Sequence, residues 1–401
     1  MRITLNIWPW ATPNPNAKIK APENGLMAQV LLSFLATAGL FYVNIMPALV
    51  DGLMSGLNFS ARDAGLVASM NVYGSAAGAL LAVLIIRRVP WKPLSAILLL
   101  GIIAIDLVSS QLSTAQNLII ARTLHGLVGG ILVGIGFAVI ARTRSADKTF
   151  GMLMLVQFGL GGLGLITLPG LVSQYGIQVL FLSLIAFSIV TLIMLPFLAD
   201  YPEIRATDVS TYSVKHDTKR LMPALVLLAI FCFQGALMGL FAYIFGFGVS
   251  LGLERDLVAW VLGGASWMGM AGAFLMLILP ASMGRKIPLL VAMLAALLAI
   301  WALNFADQKG IFIAASFATC ICWSFVTPYL FGMCSEFDSV GAMAILGGFA
   351  SKLGLASGPL LAAFILADLE YSLLINTTII GIIAAFLFSI FPALMLDKKT
   401  H

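Results

Sequence analysis

Four titratable side chains lie inside long apolar stretches of the sequence: Asp106, Arg122, His125 and Lys352. An ionised group at the centre of a bilayer costs about 2.5–3.5 kcal/mol on insertion scales, so each of these residues needs a partner or a function there. Lysine and arginine bind acidic groups, and histidine exchanges protons near neutral pH. Two embedded cations against one embedded carboxylate therefore predict a site for a small organic anion, with transfer coupled to protons.

Lys352 is the most central of the four. Its apolar run begins near Val340, so at a rise of about 1.5 Å per residue Lys352 lies about 18 Å along a helix. The functional interpretation is a counter-charge for an anionic substrate. The alternative is a lysine that extends toward the membrane surface or pairs inside the protein.

Arg122 and His125 are three residues apart and share a helix face. We predict that Arg122 binds a substrate carboxylate, and that His125 and Asp106 couple transport to protons. Asp106 and Arg122 are at matching depths, so an ion pair between them is the structural alternative. A second alternative is hydrogen bonding of Arg122 to polar groups such as Asn44.

Aromatic and polar side chains in the other apolar runs extend the predicted substrate site. Each of them, taken singly, is more often a packing residue than a ligand contact. The candidates are Tyr42, Asn44, Asn71, Tyr73, Gln157, Gln234, Tyr243, Trp267, Trp323 and Tyr329.

The composition excludes most other classes of protein. Of the 401 residues, 61% are hydrophobic and 10% are charged, and the mean hydropathy is +1.05. Soluble domains carry about 25% charged residues, so most of this surface must face lipid. Soluble enzymes and nucleic-acid-binding proteins are excluded. The four cysteines match neither a zinc site nor a disulfide framework, and we expect no metal and no cofactor.

Twelve apolar runs are long enough to cross a hydrocarbon core of about 30 Å as helices. The predicted fold is therefore an all-α integral membrane protein with twelve transmembrane helices. Seventeen of the 22 Lys and Arg residues fall on one side of this arrangement. The positive-inside rule then places both termini in the cytoplasm. The short loops are typical of a bacterial inner-membrane protein.

The longest hydrophilic stretch divides the spans into six and six. The predicted boundaries are a cytoplasmic tail at 1–25, a six-helix bundle at 26–199, a linker at 200–221, a second bundle at 222–396 and a tail at 397–401.

The two halves are related in sequence. Gly78 and its two alanine neighbours align with Gly272 and its two alanine neighbours. The same offset relates Tyr73 to Trp267, and a similar one relates Gly162 to Lys352. Two parallel six-helix repeats with a site between them near the midplane are the architecture of a transporter.

At this point the sequence resembles the major facilitator superfamily over nearly all of the chain after residue 25. That family has a glycine and a basic run after helices two and eight. Where the family carries an aspartate in this run, the first half of the sequence has Arg87 and the second half has Ala281. The resemblance implies a role in gating and topology for Gly78, Arg87, Arg88, Gly284, Arg285 and Lys286. Arg122 and Gly126 are similar to a family element in helix four, which lines the central cavity in that family.

The resemblance implies a secondary active transporter, not an enzyme, that works by alternating access as a monomer. The predicted partners are a small organic anion, protons and the lipid bilayer, and no nucleic acid. No phosphate-binding loop for direct ATP use is present in the sequence. The alternative is proton-driven efflux of lipophilic drugs or lipids. Such exporters carry a Gly-Pro-x-x-Gly-Gly element in helix five, and against this alternative Pro169 follows Leu168 and is followed by Gly170, Leu171 and Val172.

Overall fold

The computed structural model describes residues 20–23, 25–85, 89–143, 146–201, 221–278, 284–337, 342–366 and 370–400. Within these ranges the chain forms fourteen α-helices and no strands. Eleven helices are long and apolar enough to cross a membrane, and a shorter apolar helix precedes them. The predicted all-α membrane fold is confirmed.

The first half holds eight helices, joined mostly by short connections. They are α1 (Leu26–Ala38), α2 (Phe41–Asn44), α3 (Met46–Gly56), α4 (Ala61–Ile85), α5 (Trp91–Ser109), α6 (Ala115–Ile140), α7 (Ala146–Tyr175) and α8 (Gln178–Met194).

The second half holds six helices. They are α9 (Leu221–Ser250), α10 (Arg255–Ile278), α11 (Lys286–Ala302), α12 (Lys309–Glu336), α13 (Ala342–Ile365) and α14 (Tyr371–Thr400).

The first membrane span is divided into α1, α2 and α3, where the sequence predicts one continuous helix. Gly39 follows α1 and packs against the backbone of Gly129 in α6, where a side chain would collide. Pro47 lies in the first turn of α3 and has no backbone N–H with which to continue a helix from α2. The interruption is thus fixed by a close helix contact and by the proline.

Ion pairs show which helix ends share a face of the molecule. Lys20 and Lys92 both bind Asp200, with a distance of 2.5 Å from Lys92 Nζ to Asp200 Oδ1. These contacts bring together the start of α1, the start of α5 and the end of α8. We call the side of the molecule on which these three helix ends lie the basic face. The side across the membrane from it is called the opposite face. In the second half, Arg285 and Glu336 pair at the basic face, 2.5 Å apart.

Glycines let neighbouring helices touch through their backbones. A Cβ on Gly78 of α4 would collide with the carbonyl oxygen of Leu127 in α6, and one on Gly126 would collide with that of Asn71. The equivalent glycine of the second half, Gly272, is pressed in the same way against the backbone of α12. Gly126 therefore serves the close packing of α6 against α4.

The two bundles meet through α4 with α13, α7 with α10, and α3 with α9. In the part of the chain that the structure describes, the hydrogen bonds that join the two bundles lie in the half of the membrane from its middle to the opposite face. They join Asp51 to Arg255, Ala61 to Tyr243, Tyr73 to Ser357, Ser75 to Lys352, Phe158 to Ser266 and Gly159 to Trp267.

Toward the basic face the bundles separate. Gly348 lies one turn from Lys352 in that direction, and a Cβ there would have nothing within 4 Å. Leu155 of α7 and Leu346 of α13, in the basic half of their helices, are 51% and 46% exposed. The bundles are therefore closed at the opposite face and apart at the basic face.

Candidate functional site

The mid-membrane polar residues form two separate groups. One is a closed cluster inside the first bundle, around Arg122. The other lies in the second bundle and at its interface with the first, around Lys352.

The first cluster contains a buried ion pair. Arg122 Nη1 lies 2.7 Å from Asp106 Oδ1, and both side chains are 0% exposed. Arg122 Nη2 also donates to Ser109 Oγ at 2.5 Å. The rings of Phe181 and Tyr42 flank the guanidinium, with centroids 5.2 and 5.9 Å from its carbon. The two charges compensate each other. This is the ion pair that the sequence analysis gave as the alternative to substrate binding by Arg122.

His125 completes this cluster. Its Nε2 lies 3.4 Å from Asp106 Oδ2, and its Nδ1 lies 2.8 Å from the side-chain nitrogen of Asn71. The same Asn71 nitrogen donates to the backbone oxygen of Arg122 at 3.0 Å. His125 and Asn71 are both buried. The structure thus brings three of the four predicted titratable residues into one cluster.

Asn44 does not bind Arg122. Its side-chain nitrogen donates instead to the backbone oxygen of Gln157 in α7, at 3.4 Å. The contact ties α2, at the interruption of the first span, to α7. The hydroxyl of Tyr42 has no hydrogen-bond partner among the described residues, and its ring is 6.0 Å from that of His125.

Lys352 lies apart from this cluster, at the interface of α13 with α4. Its Nζ donates to Ser75 Oγ at 3.2 Å, and its side chain is half-buried. In the described residues, no carboxylate lies within ion-pair distance of it. Nearer the opposite face, Tyr73 and Ser357 share a hydrogen bond of 2.7 Å between their hydroxyls. The two serines could not be recognised as site residues from the sequence, because small residues such as serine are common where transmembrane helices pack.

A chain of hydrogen bonds lies on the adjacent face of α13. Trp323 Nε1 donates to Gln234 Oε1 at 2.6 Å, and Gln234 Nε2 donates to Ser351 Oγ at 3.0 Å. Gln234 is buried, and Phe241 packs its ring edge against Trp323. The orientation of the Gln234 amide is therefore fixed at Ser351, the residue that precedes Lys352 in α13.

Trp267 lies at the second contact between the bundles. Its Nε1 donates to the backbone oxygen of Gly159 at 3.1 Å, and the residue is 39% exposed. Its neighbour Ser266 donates to the backbone oxygen of Phe158. Trp267 and Tyr73, equivalent in the repeat, thus both bond across to the other bundle.

At the basic face, Asp397 holds the glycine-basic loop of the second half. Its carboxylate accepts hydrogen bonds from the backbone nitrogens of Arg285 and Lys286, both at 2.9 Å. Gly284 has a φ of +64°, and a Cβ there would lie 2.9 Å from the Asp397 carboxylate. An acid at the end of α14 thus caps the start of α11, a role that the sequence did not reveal.

The corresponding loop of the first half cannot be compared in this way. Arg87 and Arg88 lie outside the described residues, as does Ala281. Gly78 is described, and it contacts α6.

Comparison with known proteins agrees with this architecture. The family model described as Major Facilitator Superfamily matches residues 30–337. The chain belongs to the major facilitator superfamily. It is an integral membrane transporter of a small molecule, and not an enzyme.

Among solved structures, the superfamily member NupG, a nucleoside transporter crystallised as a point mutant, superposes with a TM-score of 0.72. The match covers 91% of this chain and 99% of that chain, at 12% sequence identity. At that identity the likeness shows the fold. A search of curated protein sequences found no match.

Proposed function

We propose that this transporter moves a small organic anion by alternating access, and that Lys352 binds the anionic group. The observation that carries the proposal is the position of one ammonium group. Lys352 lies at mid-membrane depth between the bundles, and its hydrogen-bond partner is the neutral hydroxyl of Ser75.

The energetic argument is that a hydroxyl does not neutralise an ammonium. A charge in a medium of low dielectric constant is costly unless an opposite charge pairs with it. The acidic group of a substrate would supply that charge. Because Lys352 and Ser75 belong to different bundles, a substrate bound between them would contact both of the bodies that move.

Neighbouring groups are suited to the polar remainder of such a substrate. Gln234 and Trp323 form an ordered amide and indole pair beside Lys352. Tyr73 and Trp267 lie at the same depth on the two inter-bundle contacts. We propose that these four side chains line the substrate path. Arg122, Tyr42, Asn44 and Gln157 would support it through the packing of the first bundle.

We further propose that His125 and Asp106 carry the coupled proton, which makes the protein a symporter. His125 is the histidine of the spanning segments, and its imidazole lies beside a buried carboxylate. We place the basic face in the cytoplasm, by the positive-inside rule, and assign the protein to a bacterial inner membrane as a monomer.

The test is transport by the purified protein in liposomes. The panel contains monocarboxylates, dicarboxylates and sugar acids, together with nucleosides and lipophilic cations, with and without a pH gradient. We expect uptake of an acid that an inwardly directed proton gradient stimulates. Lys352→Met should abolish it, whereas Lys309→Met, which removes an exposed charge at the start of α12, should not. Unchanged acid uptake by Lys352→Met would refute the proposal.

A neutral polar substrate such as a nucleoside is the second candidate. The neutral donors and acceptors of Gln234, Trp323 and Ser351 favour it, and the structurally similar NupG is a nucleoside transporter. In that case nucleosides would be transported, and Lys352→Met would leave their uptake intact. Export of lipophilic cations alone would instead support the efflux alternative.

A further inference from the structure

We infer that Asn71 holds His125 in its neutral form with the proton on Nε2, and that the Asn71 amide must turn before His125 can take up a proton. Asn71 is then a positioning residue for the proton step, acting through the imidazole.

The orientation of the Asn71 amide follows from its two contacts. Its side-chain nitrogen lies 3.0 Å from the backbone oxygen of Arg122 and 2.8 Å from His125 Nδ1. An NH₂ group has two hydrogens, one for each acceptor. The reversed amide would set its oxygen against the Arg122 carbonyl oxygen, and two acceptors repel each other. The nitrogen therefore faces both contacts.

The protonation of His125 follows from that orientation. Because Nδ1 accepts a hydrogen bond from Asn71, it carries no proton. The single proton of the neutral imidazole is therefore on Nε2, which lies 3.4 Å from Asp106 Oδ2. Arg122 and Asp106 carry one charge each, of opposite sign, so the cluster as a whole is neutral.

A second proton needs room at Nδ1. An imidazolium has an N–H at both nitrogens, and an N–H at Nδ1 would meet the N–H of Asn71. Gly126 of α6 packs directly against the backbone of Asn71, so α4 and α6 are in close contact here and the Asn71 side chain is the part that can turn. Rotation of the Asn71 side chain relieves the clash. The amide oxygen then accepts from Nδ1–H, and the hydrogen bond to the Arg122 carbonyl breaks.

The other ionisable groups that face His125 in the described residues are Asp106 of α5, Arg122 of α6 and Tyr42 of α2. Asp106 favours the imidazolium and Arg122 disfavours it. Both remain in place when Asn71 turns, so the amide is the element that changes. The gating of proton uptake rests on the proposed coupling through His125, whereas the assignment of the Nε2–H form does not.

The test is nitrogen NMR on the protein with ¹⁵N-labelled histidine, because the neutral Nδ1–H form, the neutral Nε2–H form and the imidazolium give different shifts. The His125 signals are assigned by their loss in His125→Gln. We expect the neutral Nε2–H form in the wild type at neutral pH. A neutral Nδ1–H form or an imidazolium would overturn the inference, and this spectrum needs no variant at position 71.

Asn71→Asp tests the gate itself. A carboxylate at this position accepts from Nδ1–H without turning, so His125 should take up its second proton at higher pH. Asn304→Asp is the control, since Asn304 is exposed, bonds to the backbone oxygen of Trp301 and does not contact His125. The pH at which uptake is half-maximal should rise by about one unit or more in Asn71→Asp, and not in the control. Equal profiles in the two variants would overturn the gate.

The outcomes separate this inference from the proposed function. The Nε2–H form in the wild type, with uptake that does not respond to pH, would leave the tautomer standing and refute proton coupling. An Nδ1–H form would refute the inference and leave anion binding by Lys352 untouched.

Discussion

Lys352 Nζ of α13 donates a hydrogen bond of 3.2 Å to Ser75 Oγ of α4. In the described part of the chain, this is the hydrogen bond between these two helices that lies nearest the basic face. One turn further, Gly348 faces empty space. The antiparallel pairing of Tyr73 with Ser357 and of Ser75 with Lys352 would bring Ala79 opposite Gly348 when the basic face closes. Lys352, the cation proposed to bind the substrate, thus lies at the edge of the closed contact.

Gly348→Leu should block closure of the basic face. The present conformation has space for the side chain, and replacing a helical glycine raises helix propensity by up to about 1 kcal/mol, so stability should not fall. The closed state would bring the leucine against Ala79, and transport should drop at least tenfold while anion binding persists. Transport and thermal unfolding are measured together, with Gly348→Ala as the control. Normal transport by Gly348→Leu would contradict the predicted closing contact.

Removing one member of the buried pair of Arg122 and Asp106 should destabilise the first bundle. Asp106→Ala leaves the arginine charge buried without its partner, which costs about 3–5 kcal/mol. The double variant Arg122→Met with Asp106→Leu should recover most of this loss, because it removes both charges. Unfolding in detergent measures the effect. An Asp106→Ala protein as stable as the wild type would show that Arg122 has another counter-charge.

The ion pair of Asp51 and Arg255 should hold the opposite face closed. It joins α3 to the start of α10, beside a cavity of about 210 Å³ that Ala242 also lines. A partly exposed pair contributes about 0.2–1 kcal/mol, so Asp51→Asn should raise the open population about 1.4- to 5-fold. The measurement is the labelling rate of Ala242→Cys, which is 1% exposed, in a background without the native cysteines. Asp63→Asn, at the start of α4, is the control. An unchanged labelling rate would exclude a gating role.

Asp200 should contribute to stability in a pH-dependent way. Hydrogen bonds from Lys20 and Lys92 lower the pKa of this carboxyl to about 2. A lowered pKa in the folded state stabilises the protein above the ordinary value of about 3.9, and the contribution is lost as the pH falls toward about 2. Asp200→Asn should lower the melting temperature near neutral pH, and the difference from the wild type should shrink below about pH 4. The effect is small because the Asp200 side chain is 65% exposed. A difference that stays constant with pH would contradict this assignment.

The spans and their count could be read from composition, because lipid requires long apolar helices. The pairing of Asp106 with Arg122 could be anticipated from their matching depths. The equivalence of Gly78 and Gly272 could also be predicted, since both repeats use the same close backbone contact.

The rotation of each helix about its own axis, which decides the face that meets a neighbouring helix, could not be predicted. Side chains that face lipid are as apolar as those in the core, so the sequence pattern does not say which face of α13 meets α4. The serines that bind Lys352 and Tyr73 could therefore not be predicted, nor could the contact of the Asn71 amide with His125. Asp397 was missed because it caps a helix 111 residues earlier in the chain.

The most direct test of the central claim is ligand-induced thermal stabilisation of the purified protein by organic acids. A ligand at 100 times its dissociation constant stabilises the folded state by about 2.7 kcal/mol, which is readily detected. We expect an acid to raise the melting temperature of the wild type and of Lys309→Met, and to leave that of Lys352→Met unchanged. Equal stabilisation of Lys352→Met by the same acid would contradict the assignment of Lys352 as the anion-binding residue.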